Sequence, residues 1–108
     1  MTPEMRDFAI RDIGCIVCSA RGLGFSPCEK HHLLTTGRHG TGKRRGERYT
    51  VGLCAYHHRG IGSLIAAFGP SYALEPRAFR ALYSDEWLLT RQNELIEQWR
   101  KSTVGVAA

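Results

Sequence analysis

Cysteines and histidines in short-spaced pairs are the residues of this chain best suited to chemistry. Cys15-Ile16-Val17-Cys18 is a CxxC pair, and Cys54-Ala55-Tyr56-His57 is a CxxH pair. A structural zinc takes four thiolate or imidazole ligands in a tetrahedron, and one tight turn can supply two of them at this spacing. Cys15, Cys18, Cys54 and His57 therefore predict one structural zinc. Of the histidines left over, three stand in pairs: His58 directly follows the last ligand, and His31-His32 lies between the two ligand pairs. Spare imidazoles beside a zinc-stapled core point to a second, catalytic metal. Adjacent strand residues face opposite ways, so His31 and His32 have different tasks unless the strand bends. The plainer alternative is a set of satisfied structural histidines. Cys28 also makes a CxxH spacing with His31, but a small buried hydrophobe is the preferred reading for it.

The stretch between the two histidine pairs is rich in glycine and cations. Arg38, Lys43, Arg44, Arg45 and Arg48 crowd one short segment, opposed only by Glu47. Gly37 to Lys43 matches most of a phosphate-binding P-loop, but that motif then needs Ser or Thr for magnesium, and Arg44 stands there. Contact with a nucleic-acid backbone is the better reading. Glycines allow close approach to phosphates, and the cations neutralise them. Arg59, at the start of the expected metal-bearing helix, is a further phosphate contact. A solvated surface loop is the alternative. The whole chain carries a formal charge of +5 and a pI near 9.3, which also favours a polyanionic partner.

The elements that must position these groups can be read along the chain. The 108 residues suffice for one domain with one modest core. Thr2-Pro3 starts a helix carrying Met5, Phe8, Ala9 and Ile13 on one face, and Gly14 ends it before Cys15. His31 to Leu34 is a short strand, residues 35–48 a flexible loop, and Tyr49 to Leu53 a second strand. A helix is expected from about Tyr56 to Phe68, weakened by Gly60 and Gly62. Glu75-Pro76 starts a short helix. Ser84 caps a last one on which Leu88, Gln92, Leu95, Ile96 and Trp99 recur at helical spacing, with Gln92 the polar exception. Trp87 and Trp99 are expected as core anchors. The zinc-stapled core should occupy about 12–68, the C-terminal helical part about 75–101, and a disordered tail 102–108. The first residues lack the basic start and apolar stretch of a secretory signal, so a cytoplasmic location is expected. In that compartment four cysteines favour metal over disulfides.

A strand with His-His, a loop, a second strand ending Leu-Cys, then xxHH opening a helix resembles the ββα-metal (His-Me finger) core of HNH nucleases. The resemblance implies an α+β fold in which His31 and His58 hold a catalytic divalent metal and His32 is the general base. Cys15, Cys18, Cys54 and His57 match the structural zinc of many such proteins. The middle Asn of the name should fall near Tyr49; the sole Asn here is Asn93. Residues 49–60, then Gly69-Pro70-Ser71-Tyr72-Ala73 and Arg77-Ala78-Phe79, resemble the Ref family of phage-associated HNH nucleases, whose founding member works with the RecA recombinase. The likeness spans roughly residues 12–99. The founding member's long basic N-terminal arm has no counterpart in these 108 residues.

The resemblance implies a metal-dependent DNA endonuclease, phage- or prophage-encoded, acting in a bacterial host and leaving 5′-phosphate and 3′-hydroxyl ends. Two imidazole ligands suit Mn, Co, Ni or Zn, while relatives often use Mg. DNA is the expected partner, with a RecA-type filament as a second. The alternatives are a non-catalytic zinc-binding DNA module, in which His31, His32 and His58 pack or support, and an interaction protein on a recombinase filament or packaging machinery.

Overall fold

The computed structural model describes residues 1–33, 49–62 and 68–107, with side chains on the last helix described through Ser102. Within these, the element order is α1 (Pro3–Ile13), α2 (Ile16–Ala20), β1 (Glu29–His32), β2 (Thr50–Leu53), α3 (Ala55–Arg59), α4 (Pro76–Leu82) and α5 (Asp85–Ala107). Among the described residues the fold is a small α+β arrangement: five helices around one antiparallel pair of strands. The N-terminal helix forms as its sequence dictates. Thr2 caps it by accepting the Met5 N–H, Pro3 sits in its first turn, and Gly14 closes it with φ 84°, a conformation that side chains resist.

Four residues pair in register across the hairpin: Glu29 with Leu53, Lys30 with Gly52, His31 with Val51, and His32 with Thr50. The first strand thus begins two residues earlier than the apolar run His31-Leu34 suggests. It does so because its charged residues find partners on both faces: Glu29 meets His58 and Arg59, and Lys30 meets Asp7 at 3.2 Å. Leu33 still continues the ladder by one bond, donating to the Tyr49 carbonyl at 3.0 Å.

The pleat gives the hairpin two unlike faces. Glu29, His31, Leu33, Val51 and Leu53 share one, against the main core, where Leu33, Val51 and Leu53 pack with Ile16, Val17, Phe79, Tyr83 and Leu88. Lys30, His32, Thr50 and Gly52 share the other, turned to α1. Gly52 is required there: a Cβ would lie 2.7 Å from Cys28 Sγ and 2.9 Å from Ile10 Cγ2. A second, smaller cluster of Ala9, Ile10 and Ile96 joins α1 to α5, with Trp99 packed at its edge and Trp87 at the edge of the main core.

Two buried polar side chains lock the sheet in place. Gln92, the polar exception in the α5 stripe, accepts the Gly52 N–H at 2.8 Å and so satisfies the outer edge of β2. Arg6 donates to Thr50 Oγ1 at 3.2 Å, to the Thr50 carbonyl at 2.7 Å and to Asn93 Oδ1 at 2.9 Å, bridging three elements. Burial lowers the pKa of this guanidinium, and its three acceptors offset the cost of desolvation.

Three helical features also differ from expectation. A one-turn helix, α2, follows Cys15, because the Cys15 thiol caps it. The helix after Cys54 ends at Arg59, since Gly60 adopts a left-handed cap (φ 75°); of the expected span to Phe68, residues 63–67 lie outside the described set. At the C-terminus, α5 runs on to Ala107, in place of the disordered tail expected from 102. No proline interrupts 102–107, and extending an established helix adds one bond per residue without a new nucleus.

Candidate functional site

The hairpin and the two one-turn helices bring the CxxC and CxxH pairs together. Cys15 and Cys54 stand at equivalent places: each is the N-cap of its helix and accepts the N–H three residues on, from Cys18 and His57 respectively, both at 3.4 Å. The ligand atoms of Cys15, Cys18, Cys54 and His57 all lie within 4.8 Å of one another, and all four residues are buried. Cys18 Sγ is 3.7 Å from Cys54 Sγ. His57 Nδ1 is 3.6 Å from Cys15 Sγ, 3.4 Å from Cys18 Sγ and 3.3 Å from Cys54 Sγ. Zinc bonds of about 2.3 Å to sulfur and about 2.0–2.1 Å to nitrogen give tetrahedron edges of about 3.5–3.8 Å, so the cluster could hold zinc with little movement.

Its chemistry agrees with its geometry. Nε2 of His57 faces the Phe68 carbonyl at 2.7 Å; donating there leaves Nδ1 to the cluster. Burial lowers the His57 pKa and favours the neutral imidazole that a metal requires. The same desolvation raises the Cys15 and Cys18 thiols, so the thiolates need a cation to be stable here. Cys28 stands apart from the cluster. Its thiol donates to the Ile10 carbonyl at 3.3 Å, and burial pushes its pKa up to about 11. It packs as a small hydrophobe against Gly52, in line with the preferred reading.

The remaining histidines within the described residues divide. His31 and His58 come together, ring centroids 4.9 Å apart and edge to face. His31 is 6% exposed, and its other flank meets the Tyr72 ring at 4.7 Å. Half-buried His58 lies beside the cluster because it follows His57. Its Nδ1 sits 2.9 Å from Glu29 Oε1, and Arg59 grips the same carboxylate with Nε at 2.9 Å and with a terminal nitrogen. Arg59 first and His58 second hold the Glu29 carboxyl below its usual range. His32 is placed differently. Strand alternation puts it with Lys30 and Thr50 on the α1 face, at the last residue of β1, rather than with His31 and His58.

Two residues of this site, Glu29 and Tyr72, escape a reading of the sequence by motif. Glu29 carries a usable signal, since two residues before His31 on a strand means the same face. Tyr72 carries only its place in the stretch Gly69 to Ala73 that resembles the Ref family, because its contact with His31 depends on the turn before α4. Of the cations expected to contact DNA, Arg59 is the one within the described residues; Arg38, Lys43, Arg44, Arg45 and Arg48 lie outside them. Asn93, far from the Tyr49 region in sequence, is linked to the start of β2 through Arg6.

A two-stranded hairpin leading into a short helix, beside a Cys3His cluster that could hold zinc, defines a small α+β domain with one candidate metal site. The family described as recombination enhancement, RecA-dependent nuclease matches residues 1–97, and the chain belongs to it. No curated protein and no solved structure gives a significant match. Membership points to a nuclease linked to recombination. Among the described residues, no helix is long and apolar enough to cross a membrane.

Proposed function

We propose that this protein is a metal-dependent DNA endonuclease of the HNH type, built on a ββα-metal core and acting in recombination. The observation that carries the reading is the pairing of His31 and His58 on the hairpin–helix unit, directly beside the zinc-type cluster. Two imidazoles brought side by side from strand and helix are the donors proposed for one divalent ion, a role for which imidazole is well suited. Held there by His31 and His58, such an ion would supply Lewis-acid stabilisation of the charge that develops on a phosphodiester.

The chain's own residues do the rest. His31 and His58 hold the site from strand and helix, and the Cys3His cluster ties α3, which carries His58, to α2. His32, at the mouth of the hairpin, accepts a proton from the attacking water. Arg59, and Arg38, Lys43, Arg44, Arg45 and Arg48 of the glycine-rich segment, neutralise backbone phosphates, which favours DNA binding without sequence readout. A RecA-type filament is the proposed partner, supported by the family.

A plasmid-nicking assay tests this with purified protein and Mg, Mn, Co, Ni or Zn, with and without a RecA filament, beside His32→Ala. Cleavage that needs added metal and His32 is expected. Undiminished cleavage by His32→Ala would remove the general base. One observation favours a second reading, a non-catalytic zinc-binding DNA module: His32 lies on the sheet face opposite His31 and His58. Retained DNA binding with no cleavage under any condition would support it.

A further inference from the structure

We infer that Glu29 is a positioning residue: its carboxylate takes the Nδ1 proton of His58 and two guanidinium donors of Arg59, leaving His58 Nε2 as the nitrogen that binds the catalytic ion. The inference rests on the proposed metal pairing of His31 and His58. It concerns a residue that neither the cluster nor that pairing includes.

The argument begins with strand geometry. Glu29 and His31 lie two apart on β1, so they share a face, and Glu29 pairs across the ladder with Leu53, next to the N-cap of α3. This register brings the carboxylate under the last two residues of α3. One oxygen, Oε1, serves both His58 Nδ1 and Arg59 Nε at 2.9 Å each; the other, Oε2, takes the second Arg59 donor. Both oxygens are therefore engaged, and a positioning role suits Glu29 better than a ligand role. A carboxylate behind a metal-binding imidazole fixes its tautomer and raises its basicity.

The neighbouring histidine sharpens the point. His57 turns Nδ1 toward the cysteines and anchors Nε2 on the Phe68 carbonyl. His58 is anchored through the opposite nitrogen, Nδ1, on Glu29. Two adjacent imidazoles on one short helix are thus locked in opposite tautomers, each by a partner from another element. Arg59 completes the device: held by the carboxylate that orients His58, it ties a phosphate-reaching cation to the metal site.

The test uses the full chain carrying its structural zinc. Long-range proton–nitrogen NMR spectra at mildly alkaline pH read the His58 tautomer, assigned by its loss in His58→Ala. Calorimetric titration with Mn reads the second metal. In the parent, His58 should be the Nδ1–H form. Glu29→Ala should shift it toward the Nε2–H form and weaken Mn binding about 10–100-fold. Glu29→Gln, whose side-chain carbonyl still accepts from Nδ1, should restore the tautomer and part of the affinity. Zinc content and circular dichroism should match the parent in both variants. An unchanged tautomer and unchanged Mn affinity in both variants would overturn the proposal. So would Glu29→Gln with the parent tautomer but the affinity of Glu29→Ala, since that pattern makes the carboxylate a ligand. Were His31→Ala and His58→Ala to bind Mn as the parent does, the metal pairing itself would fail. The tautomer spectra, which need no second metal, would still decide whether Glu29 orients His58.

Discussion

His57 and His58 are consecutive residues of one helical turn, yet they belong to regions of opposite character. His57 is 0% exposed, inside four soft donors whose separations match a closed tetrahedron. His58 is half-buried, in a group of two imidazoles and a carboxylate. A closed Cys3His set satisfies a metal's coordination and makes it part of the fold. A group with fewer protein ligands leaves positions for water and substrate, which catalysis requires. One short helix serves both because successive helical residues point about 100° apart, so one side chain enters the core while the next stays partly exposed beside His31 and Glu29.

The most severe way to break this comparison is to open the closed site. Cys18→Ser should lose the metal and unfold the domain at physiological temperature. Structural zinc contributes about 10–16 kcal/mol in small zinc peptides, comparable to a whole domain's stability of about 5–15 kcal/mol. Metal analysis and circular dichroism melts would check it; a folded, metal-free variant would remove the structural role. At the open site the effect should fall on chemistry instead. His58→Ala and His32→Ala should each reduce cleavage, by about 10²–10⁴-fold for the general base, while zinc content and melting temperature stay near the parent's. A variant that loses zinc along with activity would merge the two regions into one.

A smaller effect separates the two faces of the hairpin. Gly52→Ala places a methyl against Cys28 and Ile10 and should cost about 1–3 kcal/mol, read as a lower melting temperature. Cleavage per folded molecule should change little, because the collision falls on Cys28 and Ile10, neither of which the proposed site uses. Smaller again is Cys28→Ser, which should keep one zinc per chain and cost about 1 kcal/mol or less. Loss of zinc there would redraw the cluster.

The least effect is a pH dependence. Glu29 has a folded pKa below its ordinary 4.5, so its stabilisation is present above that value and lost as pH falls through the lower folded one. Melts of parent and Glu29→Gln from about pH 6 to about pH 3 should show a small difference that closes at the acid end. A gap that widens toward acid would contradict the assigned partners.

Much of the closed site is legible in the order of the residues. CxxC and CxxH spacings name their own ligands, since a turn of three residues is enough to bring each pair together. The cap residues Thr2 and Ser84 are equally readable: each accepts the backbone N–H three residues on. The open site is less completely legible. His31 and His58 stand out by type and position, but Glu29, which binds one of them, is masked by the apolar run beginning at His31. Gln92 reads as a blemish in a hydrophobic stripe; it is the acceptor that satisfies the outer edge of β2.

By itself, then, the sequence determined which residues could hold zinc, where most helices begin, and that imidazoles and cations concentrate in mid-chain. These depend on local spacing, and local spacing survives without a fold. The tertiary structure alone decided that β1 starts at Glu29, that Arg6 and Gln92 are buried, and that His32 takes the other face from His31 and His58. Each of those depends on a partner 20 or more residues away or on the register between two strands. A shift of that register by one residue would exchange every side chain between the faces.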